Sequence, residues 1–566
     1  MFVTSIKNRN SPPAILLRET YREGGKVKSR TLANLTALPA HAIDALKLSL
    51  KGHTLVPAED QALHISSSLH HGHVQAVMQT MQQLGIAKLL HSRSSTERDC
   101  VLAMIAARVI DPHTKLATTR WWNNTSLPSL FGVEQCDEDD LYKAMDWLLE
   151  GQSRIEKKLA ARHLENDALA LYDLSSSYVE GDTCPLAAFG HNRDGKKGKK
   201  QINYGLLTNA CGIPVAVSVF KGSVGDSTTL MTQVDKLREQ FSLAQFALVG
   251  DRGMITQKQI NELKEHEGVD WISALRPEPI RKLLKQEVIQ LDLFDERNLF
   301  SFVHPDFAGE RLIACRNPAL ATRRAHKRQS LLEATAKELD KVRAMVGRGT
   351  LQGRDKIGVR VGKVVNKYKV AKHFTLDIVD DQFDFAINHD SVTAEAATDG
   401  LYVIRTSLEA ERFDDEDTVR SYKSLSQVER AFRSLKSIDL QIRPIHHRLE
   451  TRVRAHIFLC MLAYYVQWHM LSAWRPLLFT DEDQAAKATR DPVAPAVRSE
   501  AALKKVHTRR LEDGTTAHSF RTLLAELSGI VRNTCHIGDT DAAFDVVTTP
   551  NAKQQHALDL LKQITV

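Results

Sequence analysis

Three carboxylates in this sequence stand where a protein could do chemistry on phosphodiesters. Asp173 closes the apolar run Ala-Leu-Ala-Leu-Tyr that begins at Ala168, and Leu174 and three serines follow it. Asp251 follows a second short apolar run, and Gly250 and Gly253 bracket the pair Asp251-Arg252. Acids at the ends of buried strands are held by rigid backbone, and flanking glycines let a ligand come close. Glu429 sits in a third stretch, 421–436, where Leu425, Val428, Phe432 and Leu435 recur at helical spacing. On the neighbouring face Arg433 lies four residues beyond Glu429, and Lys436 three beyond Arg433. Read as one helix, the stretch buries one side and presents an acid with two bases on the other. An ordinary ion pair on an amphipathic helix would look the same. Converging carboxylates repel one another unless a cation lies between them, and oxygen-only ligands favour magnesium or manganese.

Asp173, Asp251 and Glu429 resemble the DDE triad of bacterial cut-and-paste insertion-sequence transposases. The chain is most similar to the subgroup with the signature Y-x2-R-x3-E-x6-K. Tyr422, Glu429 and Lys436 fall at the signature spacings, whereas its arginine position holds Leu425, which leaves Arg430 or Arg433 to orient the phosphate. Asp251 lies 78 residues after Asp173, and Glu429 a further 178 on. The long second gap looks like the domain that this subgroup inserts before its glutamate helix. The resemblance implies two Mg²⁺ or Mn²⁺ ions per active site, held by Asp173, Asp251 and Glu429. It also implies double-stranded DNA partners, the terminal inverted repeats of the element and a target, bound by a homodimer. Tyr422, Arg433 and Lys436 would touch phosphate near the scissile bond, with Arg252 beside them. Cleaved ends would pass through a hairpin.

Composition sets outer limits on this reading. At 566 residues the chain has room for three or four domains, and 43% hydrophobic content supplies cores for them. A net charge of +7 permits a polyanionic partner without requiring one. No two of the seven cysteines lie within four residues of each other, which excludes a CxxC zinc or redox motif and a disulfide framework. The longest apolar run, 457–466, is about half the roughly 20 residues needed to span a bilayer. With no leader pattern at the N-terminus, a cytoplasmic protein with no membrane partner is expected. No GxSxG, P-loop or HExxH motif points to a metabolic hydrolase.

The elements that must position the acids follow in order. Residues 1–57 hold a β-hairpin turning at Gly24-Gly25, with Lys26, Lys28 and Arg30 on one face of its return strand. Residues 58–165 read as a helical domain suited to DNA-end binding, with a cap at Thr96. A catalytic core over 166–276 and 399–475 runs as three antiparallel strands, a helix, a strand, a helix and a strand. That is the order of a ribonuclease-H-like α/β fold. Its first loop carries Arg193, Lys196, Lys197, Lys199 and Lys200 among three glycines, a flexible cationic segment suited to a phosphate backbone. Asp226 reads as a helix cap, and His447, Arg448, Arg452 and Arg454 as phosphate contacts. A mixed α+β insertion over 277–398 includes a long basic helix bearing Arg323, Arg324, Lys327 and Arg328. Residues 476–566 read as a linker and a helical tail. Two rivals share these features: a ribonuclease-H-like nuclease without strand transfer, and a non-catalytic DNA-binding descendant of a transposase.

Overall fold

The computed structural model describes residues 1–565 except 10, 54, 56–62, 295–296, 482–489, 495–496 and 538–542. The chain forms two compact units, Met1–His71 with Ile530–Thr549, and Gly72–Gly529 with Pro550–Val566.

In the first unit, β1 (Phe2–Ile6), β2 (Ala14–Glu23) and β3 (Lys26–Asn34) form an antiparallel sheet in that order. Gly24 and Gly25 connect Glu23 to its partner Lys26 with φ of 61° and 76°. Left-handed backbone at both turn positions is what lets a two-residue hairpin follow the strand twist. Lys28 and Arg30 pair with Glu23 at 2.7 Å and Glu19 at 2.8 Å, so the cationic face is partly neutralised. A strand β4 (Leu63–His70) lies inside the stretch expected to be helical. Its Leu-His-Ile-Ser-Ser-Ser-Leu-His sequence lacks a 3.6-residue repeat, and its hydrogen bonds come from a strand near the other end of the chain.

The second unit opens with helices from Gly72–Gln83 to Gln152–His163. Ser95, rather than Thr96, caps Thr96–Ile110, because its hydroxyl accepts the Arg98 N–H. Asp137 and Asp140 form a reciprocal capping box on Glu138–Glu150. Trp122 is buried in this helical layer.

Eight strands then build one mixed sheet. In chain order they are β5 (Ala168–Tyr178), β6 (Gln201–Asn209), β7 (Pro214–Lys221), β8 (Phe246–Val249), β9 (Val269–Ala274), β10 (Leu299–Phe302) and β11 (Arg311–Arg316). A separate hairpin, β12 (Phe374–Val379) with β13 (Gln382–Ile387), precedes the eighth, β14 (Leu401–Thr406). The sheet order is β10-β11-β14-β9-β8-β5-β6-β7. Strands β5, β6 and β7 form an antiparallel meander, and β8 runs parallel to both β5 and β9. The fold is therefore mixed α/β with a large mixed sheet.

Strands β10 and β11 fall within the range read as an insertion, yet they continue the main sheet past β14. Leu312 to Cys315 of β11 are all buried, a run that needs cover on both faces. The self-contained part begins at the helix Pro318–Gly347, which packs with Arg354–Tyr368 and the β12–β13 hairpin around Leu339, Val342, Ile357, Val361, Phe374 and Phe383. It leaves and rejoins the sheet at one point. The Asn317 N–H donates to the Gly400 carbonyl at 2.9 Å, and Gly400 has φ 73°, where a Cβ would come within 2.4 Å of the Asn317 carbonyl oxygen.

The helix Glu450–Ala473 is buried over most of its length and packs on β7 and on Glu138–Glu150. Much of the 476–500 linker assignment lies outside the described residues. Beyond it come helices Glu500–Thr508, Phe520–Ser528 and Ala552–Lys562. The chain between the last two of these supplies β15 (Val531–Ile537) and β16 (Ala543–Val547), which complete the sheet β16-β15-β4 of the first unit. Among the described residues no helix is long and apolar enough to cross a membrane.

Candidate active site

Parallel pairing of β5 with β8 ends at Leu171 and Val249. Asp173 and Asp251 each follow two residues later, so both carboxylates emerge at the same end of adjacent parallel strands, where open α/β sheets place their ligands. Asp173 itself lies mid-strand, because β5 continues to Tyr178 along β6 alone. Beside it the Tyr172 ring crosses β6 at Gly205, where an added Cβ would lie 2.1 Å from the phenol oxygen. That hydroxyl donates to Thr229 Oγ1 at 3.0 Å.

Glu429 comes from the helix Leu425–Arg433, whose buried Val428, Ala431 and Phe432 hold it against β5. The Phe432 ring meets Tyr204 edge-on with centroids 5.8 Å apart. The 421–436 stretch is not one helix. Asp415–Lys423 ends at Ser424, whose hydroxyl donates to the Ser421 carbonyl at 2.5 Å, and a π-helical turn, Ser434–Ile438, follows Arg433. Side-chain bonds of this kind compete with the helix ladder, and single π turns recur at functional sites. Tyr422 and Glu429 therefore sit on separate helices, and Lys436 sits on the π turn.

Asp173, Asp251, Glu429, Arg433 and Lys436 line one cavity of about 350 Å³ together with Arg193 and Asp226. The Asp173 carboxyl is pushed up to about 7, first by burial and then by the charges of Asp251 and Glu429; the Leu174 N–H, 2.8 Å away, and Arg193 oppose the shift. Asp251 is exposed, with its Oδ1 accepting the Gly253 and Met254 N–H groups at 2.8 Å each. Burial, Asp251 and Glu429 push the Tyr422 phenol up to about 12, and Arg252 opposes them. Tyr422 and Arg252 thus feel the same acids without lining the cavity.

Arg193 and Asp226 are the residues that sequence reasoning undervalued. Both Asp226 carboxylate oxygens bind Arg193 Nη2 at 2.5 Å, so Asp226 holds the cation that faces Asp173. The signal available in the sequence was that Arg193 is the one arginine in a loop of lysines, and a planar fork suits carboxylate and phosphate better than an ammonium.

The cationic loop is more occupied than its sequence suggests. Lys436 pairs at 3.1 Å with Asp194 of this loop, which also pairs with Arg443 and accepts the Tyr178 N–H at 3.0 Å. Burial holds the Lys436 amine below its usual range. Lys199 meets Glu180 at 2.6 Å, Lys200 meets Asp182 at 3.3 Å, and Lys196 lies 5.7 Å from the centre of the Tyr178 ring. Lys197 is exposed. None of these four lysines lines the cavity. Further on, the His447 ring lies tilted against buried His456 with centroids 5.0 Å apart, Arg452 binds Asp146, and Arg454 binds Glu450 and the Val219 carbonyl, so these three serve packing rather than an open phosphate site.

Residues 175–466 match the transposase DDE domain. The chain belongs to that family. Residues 2–60 of the transposase match the N-terminal domain of the IS1634 family of transposases. No curated protein sequence matches it. Among solved structures, a piggyBac transposase synaptic complex with hairpin DNA is similar at 9% identity and a TM-score of 0.34, over 81% of this chain and 76% of that one. The DDE-domain match takes in Asp251 and Glu429 and starts two residues after Asp173. Among the described residues of the transposase, no three acidic, imidazole or thiol side chains already stand close enough to form a completed metal site. The donor set fits a hard divalent cation all the same. Asp173, Asp251 and Glu429 all offer oxygen, and the Asp173 carboxyl, raised by burial and then by the other two charges, is one that a cation would return to its ionised form.

Proposed function

We propose that this transposase cuts the ends of an insertion sequence and joins them to target DNA, with Asp173, Asp251 and Glu429 as its catalytic carboxylates. The observation that carries this reading is the convergence of the three acids, from two parallel strands and one packed helix, on a single cavity where burial first, and then the charges of Asp251 and Glu429, raise the Asp173 carboxyl. The strand order β7-β6-β5-β8-β9, an antiparallel meander with two parallel strands beside it, supports a ribonuclease-H-like core. Two Mg²⁺ or Mn²⁺ ions held by these carboxylates would supply an activated water and charge for the leaving 3′-oxygen. The freed 3′-hydroxyl is then the nucleophile at a target phosphodiester.

The chain's own groups set the geometry. Arg193, fixed by Asp226, faces the position of greatest negative charge. Tyr422 and Arg252 approach the acids from the rim, and Arg433 lies one helical turn beyond Glu429 to meet the phosphate that Leu425 cannot. Lys436 ties the loop carrying Lys196, Lys197, Lys199 and Lys200 to the helix region, which brings that loop to the DNA backbone entering the cavity. The segments 166–276 and 399–475 would do this chemistry on paired ends held by a homodimer, with 1–57 and 58–165 engaging the terminal repeats.

The test is a plasmid carrying the DNA that flanks the gene on both sides, incubated with Mg²⁺ or Mn²⁺ and either the native protein or Asp251→Asn. Excision at two defined ends, lost in the variant, is the expected result. Random nicking that needs Asp251 would replace transposition with a plain nuclease, and binding without cleavage by either protein would overturn the catalytic reading.

A further inference from the structure

The cation content of this chain is concentrated away from the cavity. Between residues 318 and 370, fourteen Lys and Arg face four Asp and Glu, a net +10 where the whole chain carries +7. That segment is the pair of helices Pro318–Gly347 and Arg354–Tyr368 with its own apolar core.

The charges are ordered on each helix. On the second, Lys356, Arg360, Lys363 and Lys367 recur at 4-3-4 spacing along one exposed stripe, while Ile357, Val361 and Val365 face inward. On the first, Arg323, Lys327, Lys337, Lys341 and Arg348 share a stripe at 3- and 4-residue steps, with only the small residues Ser330, Ala334 and Ala344 between them. Its inward face is Leu332, Leu339, Val342 and Val346. The two stripes meet along one side. Glu338 of the first helix binds Lys341 at 2.6 Å and is also held below the usual carboxylate range by Lys367 and Arg360 of the second.

The pattern of ion pairing separates this side from the others. Arg328 binds Asp399, and Arg343 binds Asp340 and Asp384, which ties them into the fold. Arg323, Lys327, Lys337, Lys356, Arg360 and Lys363 have no acid within ion-pair distance among the described residues. A helix of 30 residues spans about 45 Å, along which B-DNA presents roughly 13 phosphates per strand. Small side chains between long cations let a duplex lie close along the ridge.

We propose that these two helices form a second DNA-binding surface that grips the phosphate backbone of a duplex without reading its sequence. It rests on the transposase reading, in which a duplex besides the specific repeat must be held, but it uses no residue of the cavity. Binding is driven by counterion release from phosphates, so it weakens steeply as salt rises.

The test uses the full-length protein and fluorescence anisotropy on a labelled 30-bp duplex of random sequence, across a NaCl series. Lys356→Gln/Arg360→Gln/Lys363→Gln strips the second helix, and Arg323→Gln/Lys327→Gln/Lys337→Gln strips the first. All six side chains are exposed, and if one variant fails to fold, the other decides. Each triple variant is expected to lose at least about tenfold in affinity and to flatten the log K against log salt slope by roughly 2–3. Native-like affinity and slope in a folded variant would overturn the surface and leave the charges as solvating groups, while the transposase reading stands. Absence of any duplex binding by the native protein would remove both.

Discussion

Replacing Asp173 with Asn should destroy DNA cleavage and yet stabilise the metal-free protein at alkaline pH. In the native chain the Asp173 carboxyl titrates near 7 rather than at its ordinary 3.8. Between those values the folded state binds a proton that the unfolded state has released, so stability falls as pH rises through this window. Three pKa units correspond to about 4 kcal/mol as an upper limit. The cavity is open to water, and screening and relaxation reduce the cost to about 1–2 kcal/mol. Asparagine carries no charge and keeps an oxygen for the Leu174 N–H. The variant's advantage should therefore be small at pH 5, about a third of the way through this window, and grow until it melts about 1–3 °C higher at pH 8 in EDTA. Adding Mn²⁺ should invert the order, because the native carboxylates gain a cation that the variant binds weakly. Scanning fluorimetry at pH 5, 6, 7 and 8, with and without Mn²⁺, reads all three conditions. A gap that is the same at every pH, or a variant less stable at pH 8, would show that Asp173 is not the strained carboxylate described above.

Arg193→Gln removes the cation facing Asp173 and releases Asp226. End cleavage should fall about 100-fold, the scale of losing one preorganised charge donor, and the pH at which Asp173 titrates should rise, as followed by Mn²⁺ titration at several pH values. Tyr422→Phe keeps the ring and deletes the hydroxyl, so cleavage should drop roughly tenfold with an unchanged melting curve; full activity would remove Tyr422 from the phosphate contacts. Gly205→Ala drives a methyl into the Tyr172 ring and should cost at least about 2 kcal/mol in denaturant unfolding. A neutral outcome there would mean that Tyr172 moves freely beside Asp173.

Much of this arrangement was legible in the sequence because it is local. Short apolar runs ending in Asp173 and Asp251 read directly as buried strands, and the 3-4-3 spacing around Glu429 placed its buried face correctly. The break at Ser424 was not legible, since it depends on a hydroxyl choosing a carbonyl over solvent within a stretch that is periodic throughout. Nor could β4 be paired with β15, more than four hundred residues away, from patterns that report only neighbours. Lys199 and Lys200 read as free cations because Glu180 and Asp182, their partners, lie on the far side of a folded loop. Asp226 looked like a cap because sequence shows which residue starts a helix but not what its side chain meets across a cavity.

The contact between Asn317 and Gly400 bears on how such a protein can change over time. Two backbone positions already joined by a hydrogen bond can be bridged by a tight turn or by a folded unit of any size, with little effect on the sheet beneath. Everything between them is therefore replaceable in inheritance. A lineage could shorten, exchange or lose the helices carrying the cationic ridge while the strands before and after kept their register. Diversification of DNA handling and preservation of the carboxylates would then proceed on separate schedules, through one junction of two residues.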